Sequence, residues 1–326
     1  MTDPRFSCRE PRPRYLFGVT LASDFGFSVP LPASDGALDL TFAVSPFAPL
    51  AGGWHRQLPV YTSPRRRPNG ASACCLYRTP DCEIFSFPDV EYYLWSARIV
   101  CHLPESAWLH LVEPYLLGPV FAYWLERRGL PVLHASTVGI EGRAVVFAAM
   151  HGTGKSGLAA ALLQCGATLL GDDLAPIDEL GGDQTVQPGF PCLRMWPDEA
   201  AYFLRRYEHL PRVSPGSEKR WVPIGPDGFG TFCNHPLPLS CIYLPERRPE
   251  PHGLVEIRPV SPRDALIELV RHSFSPFLVE AAGLQPGRFD RLARLVRQVP
   301  VRRLSYPSGF DRLPGVAEAI LRDLER

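Results

Sequence analysis

The stretch between residues 143 and 166 constrains this chain more than any other. An apolar run, Ala144–Ala148, passes through Ala149-Met150-His151-Gly152-Thr153-Gly154-Lys155-Ser156 into a small-residue segment closed by Gly166. The run reads as a strand buried on both faces, and Ser156–Cys165 reads as a helix stopped by glycine. Between them lies a phosphate-loop pattern. Its glycines let successive backbone N–H groups turn inward around an anion. A lysine then reaches the phosphates, a Ser hydroxyl holds Mg²⁺, and the helix adds its positive N-terminal end. Ala149 stands where the pattern calls for its first glycine. Either that position accepts an ordinary negative φ, or the loop is altered. The plainer alternative is a glycine-rich turn that binds no nucleotide.

Asp172-Asp173 follow the next expected strand, Ala167–Leu170. If that strand lies parallel beside the loop strand, both carboxylates stand at the loop's open end. Neighbouring side chains of an extended segment point to opposite sides, so one acid can face a metal and the other an acceptor. The competing reading is a pair of loop or cap carboxylates. His134, in the expected strand Val132–Val138, would by itself be a packed core histidine.

Composition narrows the partners. The 34 basic residues balance 34 acidic ones, which argues against a nucleic-acid footprint. Arg65-Arg66-Arg67 sits among Pro and Asn-Gly as a solvated loop. No apolar run is long enough to span a membrane. The opening Met1-Thr2-Asp3-Pro4-Arg5 leads into Arg and Pro instead of an apolar leader, so a cytoplasmic location is expected. The nine cysteines should then be reduced, and the cluster Cys74, Cys75, Cys82 lacks a second ligand pair for zinc. Of the 34 basic residues only Lys155 and Lys219 are lysines. Lysine is a compact point charge and arginine a planar fork, so a site that needs the former resists the exchange. Lys155 lies in the loop; Lys219 is either a second such site or a chance survivor.

Two regions are expected. Residues 1–128 form a β-rich (α+β) domain, with strands near Tyr15–Leu21, Leu38–Phe42, Glu83–Phe87 and Ala97–His102, closed by a helix over Leu111–Arg128. Residues 129–326 form an α/β P-loop domain. Its later elements are helices at Asp198–Tyr207, Pro262–Arg271, Gly287–Val296 and Gly315–Leu324, and a strand at Ile242–Leu244.

From Leu130 to Asp178 the chain resembles the P-loop kinase domain of HPr kinase/phosphorylase type. It is more similar to the branch associated with ribosomal, lasso-type peptide biosynthesis. Leu133-His134-Ala135, Gly152–Ser156 and Leu169-Leu170-Gly171-Asp172-Asp173 carry the resemblance, with Gln187-Pro188-Gly189-Phe190-Pro191, Leu193–Pro197 and the tail Val299–Gly315. The resemblance implies ATP and Mg²⁺ as cofactors, bound by Ala149, His151, Gly152, Thr153, Gly154, Lys155, Ser156 and Gly157, with Ser156 and Asp173 on the metal. It implies Asp172 as the base for the acceptor hydroxyl, His134 lining the site, and Arg194 (less directly Lys219 or Arg220) against the charge developing on the γ-phosphate. The glutamate-bearing signature of true HPr kinases is absent, and the Pro-Gly-Phe-Pro segment occupies its place. That removes a metal ligand and argues against HPr as acceptor and against the reverse, phosphorylase reaction.

The expected activity is an ATP-dependent serine/hydroxyl kinase acting on a Ser of a ribosomally made precursor peptide. A nucleotide-binding scaffold without transferase activity and a small-molecule hydroxyl kinase are the alternatives. The family's members form hexamers, so a homo-oligomer is compatible; neither nucleic acid nor membrane is expected as a partner.

Overall fold

The computed structural model describes residues 12–50, 52–226, 228–249 and 253–325. The opening segment read above for a leader, residues 1–11, lies outside them. Among the described residues no helix is long and apolar enough to cross a membrane, and the eight cysteines described are free thiols.

The first half builds an eight-stranded sheet. Arg14–Leu16 and Val19–Ser23 make a tight hairpin, and Val19–Ser23, Leu40–Ser45 and Arg98–His102 run parallel. Glu91–Leu94, Glu83–Ser86, Cys75–Arg78 and Tyr61–Thr62 extend the sheet antiparallel. The helix expected at Leu111–Arg128 occupies Leu109–Tyr115 and Phe121–Arg127, joined by a widened turn at Leu116–Val120. Pro114, Gly118 and Pro119 account for that widening, because proline removes a helical donor and glycine tolerates the bend. Glu113 on this helix is buried, yet its carboxylate accepts from the Ser28 N–H at 2.8 Å, the Ser28 hydroxyl at 2.7 Å and the Val29 N–H at 3.0 Å.

The second half is organised about Val132–Ile140, Arg143–Ala148 and Leu237–Arg248. Arg143–Ala148 pairs antiparallel with the first and parallel with the last. Alternate residues of the two parallel neighbours feed opposite faces, as the two-residue period of a strand requires. Val145, Phe147, Cys241 and Tyr243 pack beneath the helices Lys155–Gln164 and Leu313–Leu324. Ala144, Val146, Ile242 and Leu244 pack against Pro262–Arg271 and Gln285–Gln298. Pairing continues through Leu174–Leu180 and Asp183–Val186 back to Leu237–Arg248, so five strands close a ring.

Two expectations are corrected. The strand Thr168–Gly171 is not the neighbour of the loop strand: Val132–Ile140 lies between them, antiparallel to both. Nor is the acidic pair extended. Asp173 has φ 77°, a left-handed conformation, and the chain bends there before Leu174–Leu180 resumes pairing with Val132–Ile140.

Candidate functional site

The loop strand ends at Ala148 and the helix begins at Lys155. Gly152 (φ 83°) and Gly154 (φ 89°) take left-handed conformations that an L side chain resists. Ala149 is not among the non-glycine residues with positive φ, so the position of the missing glycine needs no glycine. Outward-turned carbonyls hold the loop in shape. Gly152 O accepts from Arg247 Nη2 at 2.9 Å, and Thr153 O accepts from the Tyr306 hydroxyl at 3.2 Å. Met150 O accepts from the Thr153 hydroxyl at 3.0 Å. With those carbonyls engaged, the N–H groups of the loop and of the helix start are available to an anion.

Lys155 is buried, and its ammonium donates to Ala149 O at 2.9 Å and Met150 O at 3.0 Å. Burial pushes its pKa down to about 8, against the pull of Asp172 and Asp173. The Ser156 hydroxyl, one residue on, donates to the Asp172 carboxylate at 3.1 and 3.2 Å. Asp172 also accepts from the Ser136 hydroxyl and, at 2.8 Å, from the Arg194 backbone N–H. Asp173 lies against a different set: His134 Nε2 at 3.2 Å and the Arg194 guanidinium, which in turn lies 4.8 Å from the Trp221 ring centre. Burial alone would raise the Asp173 carboxyl, but Arg194 and His134 override it and hold the group well below the usual carboxylate range.

These groups open into one cavity of about 330 Å³, lined by His134, His151, Gly152, Gly154, Lys155, Ser156, Asp172 and Asp173 together with Trp196, Asp198, Glu199, Lys219, Arg247 and Phe310. The sequence-predicted residues therefore converge. Thr153 and Ala149 shape the loop from behind, and Gly157 lines a smaller adjoining space of about 160 Å³ with Tyr306, Phe310 and Leu313. Arg194 acts on the site through Asp173. Arg220 turns away, donating to Leu210 O at 3.0 Å, whereas Lys219 faces the cavity. Burial and the charges of Lys219 and His134 lower the pKa of His151.

Glu199 and Arg247 were not singled out in the sequence, and Trp196 and Phe310 fell within the resembling segments Leu193–Pro197 and Val299–Gly315 without a role of their own. Glu199 accepts from the Trp196 N–H at 3.0 Å at the start of the helix Pro197–Leu204, and burial raises its pKa. The spacing Trp196-x-x-Glu199 is that of a capping box, but with tryptophan in the first place it does not read as one. Arg247 lies nearly a hundred residues beyond the loop it clamps, and only the parallel pairing of strands reveals it.

Among the described residues no group of three or more His, Cys, Asp or Glu is arranged to hold a metal ion by itself. Ser156 and Asp172, a hydroxyl and a carboxylate side by side, suit a Mg²⁺ ion that takes most of its ligands from phosphate and water. The ion was expected between Ser156 and Asp173; the structure instead sets Ser156 against Asp172, with Asp173 committed to His134 and Arg194.

No family model matches this chain, and no curated protein matches it. Among solved structures the chain is similar to the HPr(Ser) kinase/phosphatase of Coxiella burnetii, over 60% of this chain and 95% of that one, at 12% identity and a TM-score of 0.32. A superposition that loose transfers no residue role.

Proposed function

We propose that the protein is a phosphotransferase that binds ATP with Mg²⁺ at residues 149–157 and passes the terminal phosphate to a hydroxyl. The observation that carries this reading is the loop's Lys155 and Ser156 sharing one cavity with two carboxylates in distinct settings. Ser156 and Asp172 face the side where a phosphate-bound Mg²⁺ would sit; when bound, that ion would neutralise the developing charge on the phosphate oxygens. Asp173, kept ionised by Arg194 and His134, would orient the acceptor hydroxyl by a hydrogen bond, and the hydroxyl proton would pass to the transferred phosphate, because a carboxylate held that acidic is a poor base. The acceptor oxygen bonds to the terminal phosphorus as the bond to the bridging oxygen breaks. Lys155 would leave Ala149 O and Met150 O to follow the charge onto the departing diphosphate. This division reverses the roles that the resemblance implies for the two aspartates. The acceptor class, a Ser of a ribosomally made precursor peptide, rests on the likeness of residues 187–191, 193–197 and 299–315 to the peptide-biosynthesis branch.

The test is mass spectrometry of candidate Ser-containing peptides after incubation with ATP and Mg²⁺, alongside Asp173→Asn and Asp172→Asn. One added phosphate is expected with the wild type. Asp173→Asn should lose roughly 10²-fold in rate through poorer placement of the acceptor while keeping nucleotide affinity, and Asp172→Asn should lose Mg²⁺-dependent nucleotide binding as well. Tight ATP binding with no peptide modified would sink the peptide-kinase reading and leave the scaffold or small-molecule alternatives.

A further inference from the structure

The chain has two lysines, and both line the same cavity. Lys155 is explained by the loop; Lys219 is not. It ends the segment that precedes the strand Arg220–Pro223, which pairs antiparallel with Cys192–Met195 in a separate two-stranded ribbon. In that ribbon Arg194 is opposite Trp221 and Met195 is opposite Arg220. One residue further out, the register brings Trp196 opposite Lys219. The two-residue period puts both pairs on one face, and each is a cation laid on an indole, Arg194 at 4.8 Å and Lys219 at 5.5 Å from the ring centre.

The two cations differ in one respect. Arg194 has its counter-ion in Asp173. Among the described residues the Lys219 ammonium has neither carboxylate nor carbonyl partner, only the Trp196 ring, although Asp172, Asp173, Asp198 and Glu199 line the same space. Its charge nevertheless reaches the loop, where it adds to burial in depressing the pKa of His151 and, more weakly, that of Lys155. Two ammonium groups facing one cavity repel, and in the ligand-free protein the Lys219 ammonium is offset by the Trp196 ring and by the longer-range pull of Asp173 and Glu199, with no ion pair or hydrogen bond of its own among the described residues. A polyanion between them removes the repulsion.

We propose that Lys219 is a second phosphate-contacting cation, which leaves the Trp196 indole to grip the terminal phosphate of a bound nucleoside triphosphate from the side opposite Lys155. The inference rests on the nucleotide-binding reading above. Ribbon register sets where the charge waits, and the stem of lysine lets a point charge swing from ring to phosphate, which arginine's planar fork does less well.

Equilibrium binding of an ATP analogue with a non-hydrolysable β,γ bridge, compared with ADP, both with Mg²⁺, tests it without reference to any acceptor. Lys219→Met should weaken the triphosphate analogue by roughly tenfold or more, the value of one hydrogen bond to a charged group, and leave ADP within about twofold. Lys219→Arg should fall between. Equal weakening of both nucleotides by Lys219→Met, or none of either, would overturn the proposal while Lys155→Met still abolishes both. A matched loss of melting temperature in Lys219→Met and Trp196→Leu with no triphosphate selectivity would reduce the pair to a structural clasp. Wild-type protein that binds neither nucleotide would remove the nucleotide reading and this inference together.

Discussion

Lys155 sits in the ligand-free protein where its charge is least welcome, sealed against two carbonyls of its own loop. Its folded pKa of about 8 lies below the ordinary 10.5. Between those values the unfolded chain holds a proton that the folded protein has released, so this group's contribution to stability rises with pH through that window and is lost as pH falls through 8. Bound phosphate reverses the preference by favouring the ammonium. Nucleotide binding near pH 8.5 should therefore take up protons, and calorimetry in buffers of different ionisation heat should show it, with the uptake falling away towards pH 7, where Lys155 is protonated in the free and bound protein alike. Uptake that persists unchanged at pH 7 would place the titrating group elsewhere. At this scale much of the site was legible, since Gly152, Gly154, Lys155, Ser156 and the acidic pair announce themselves by spacing. Which aspartate serves the hydroxyl of Ser156 did not, because that depends on the left-handed turn at Asp173, and nothing local to that sequence requires it.

The elements were legible where periodicity or glycine marked them. The helix Pro262–Arg271 lies where it was expected, because Ser261, Pro262 and Asp264 form a clear start, with the Ser261 hydroxyl accepting the Asp264 N–H at 3.2 Å. Strand order was not legible, since a run such as Ala144–Ala148 carries no mark of its neighbour. The segment Gln187–Phe190, notable in sequence only for its proline and glycine, is an assembly point. Phe17 donates its N–H to Pro188 O at 2.8 Å, and the Tyr15 hydroxyl donates to Gln187 Oε1 at 2.9 Å. A Cβ on Gly189 would come within 2.6 Å of the Phe17 ring, which is buried against Phe121 and Phe190 and has no room to withdraw. Gly189→Ala should cost about 1–3 kcal/mol by overpacking and lower the melting temperature, with partial recovery in the Phe17→Leu background. An unchanged melt would mean the ring yields.

Across the whole molecule the two sheets are joined from the inside. One hydrophobic cluster runs from Leu16, Phe42 and Tyr92 of the first sheet through Phe121 and Trp124 to Val132, Phe190, Trp221 and Leu278 of the second half. Beside it Arg288 and Glu126 form a buried ion pair at 2.9 Å, and Glu126 also accepts the Val132 N–H at 2.8 Å. Breaking such a pair strands a charge, so Arg288→Met should cost about 3–5 kcal/mol, and adding Glu126→Leu should return most of it. Denaturant melts of the two variants measure both, and additive losses would show the pair is not coupled. A boundary near residue 128 was drawn from a change of texture in the sequence, yet burial ignores it. Trp221, whose indole faces the Arg194 guanidinium, belongs to the same cluster as Leu16. The consequence is genealogical. A descendant that exchanged its first 128 residues with a cousin would inherit foreign walls for its own Trp221, and recombination at that point should leave few survivors unless residues 187–190 and 278–288 travel with the graft.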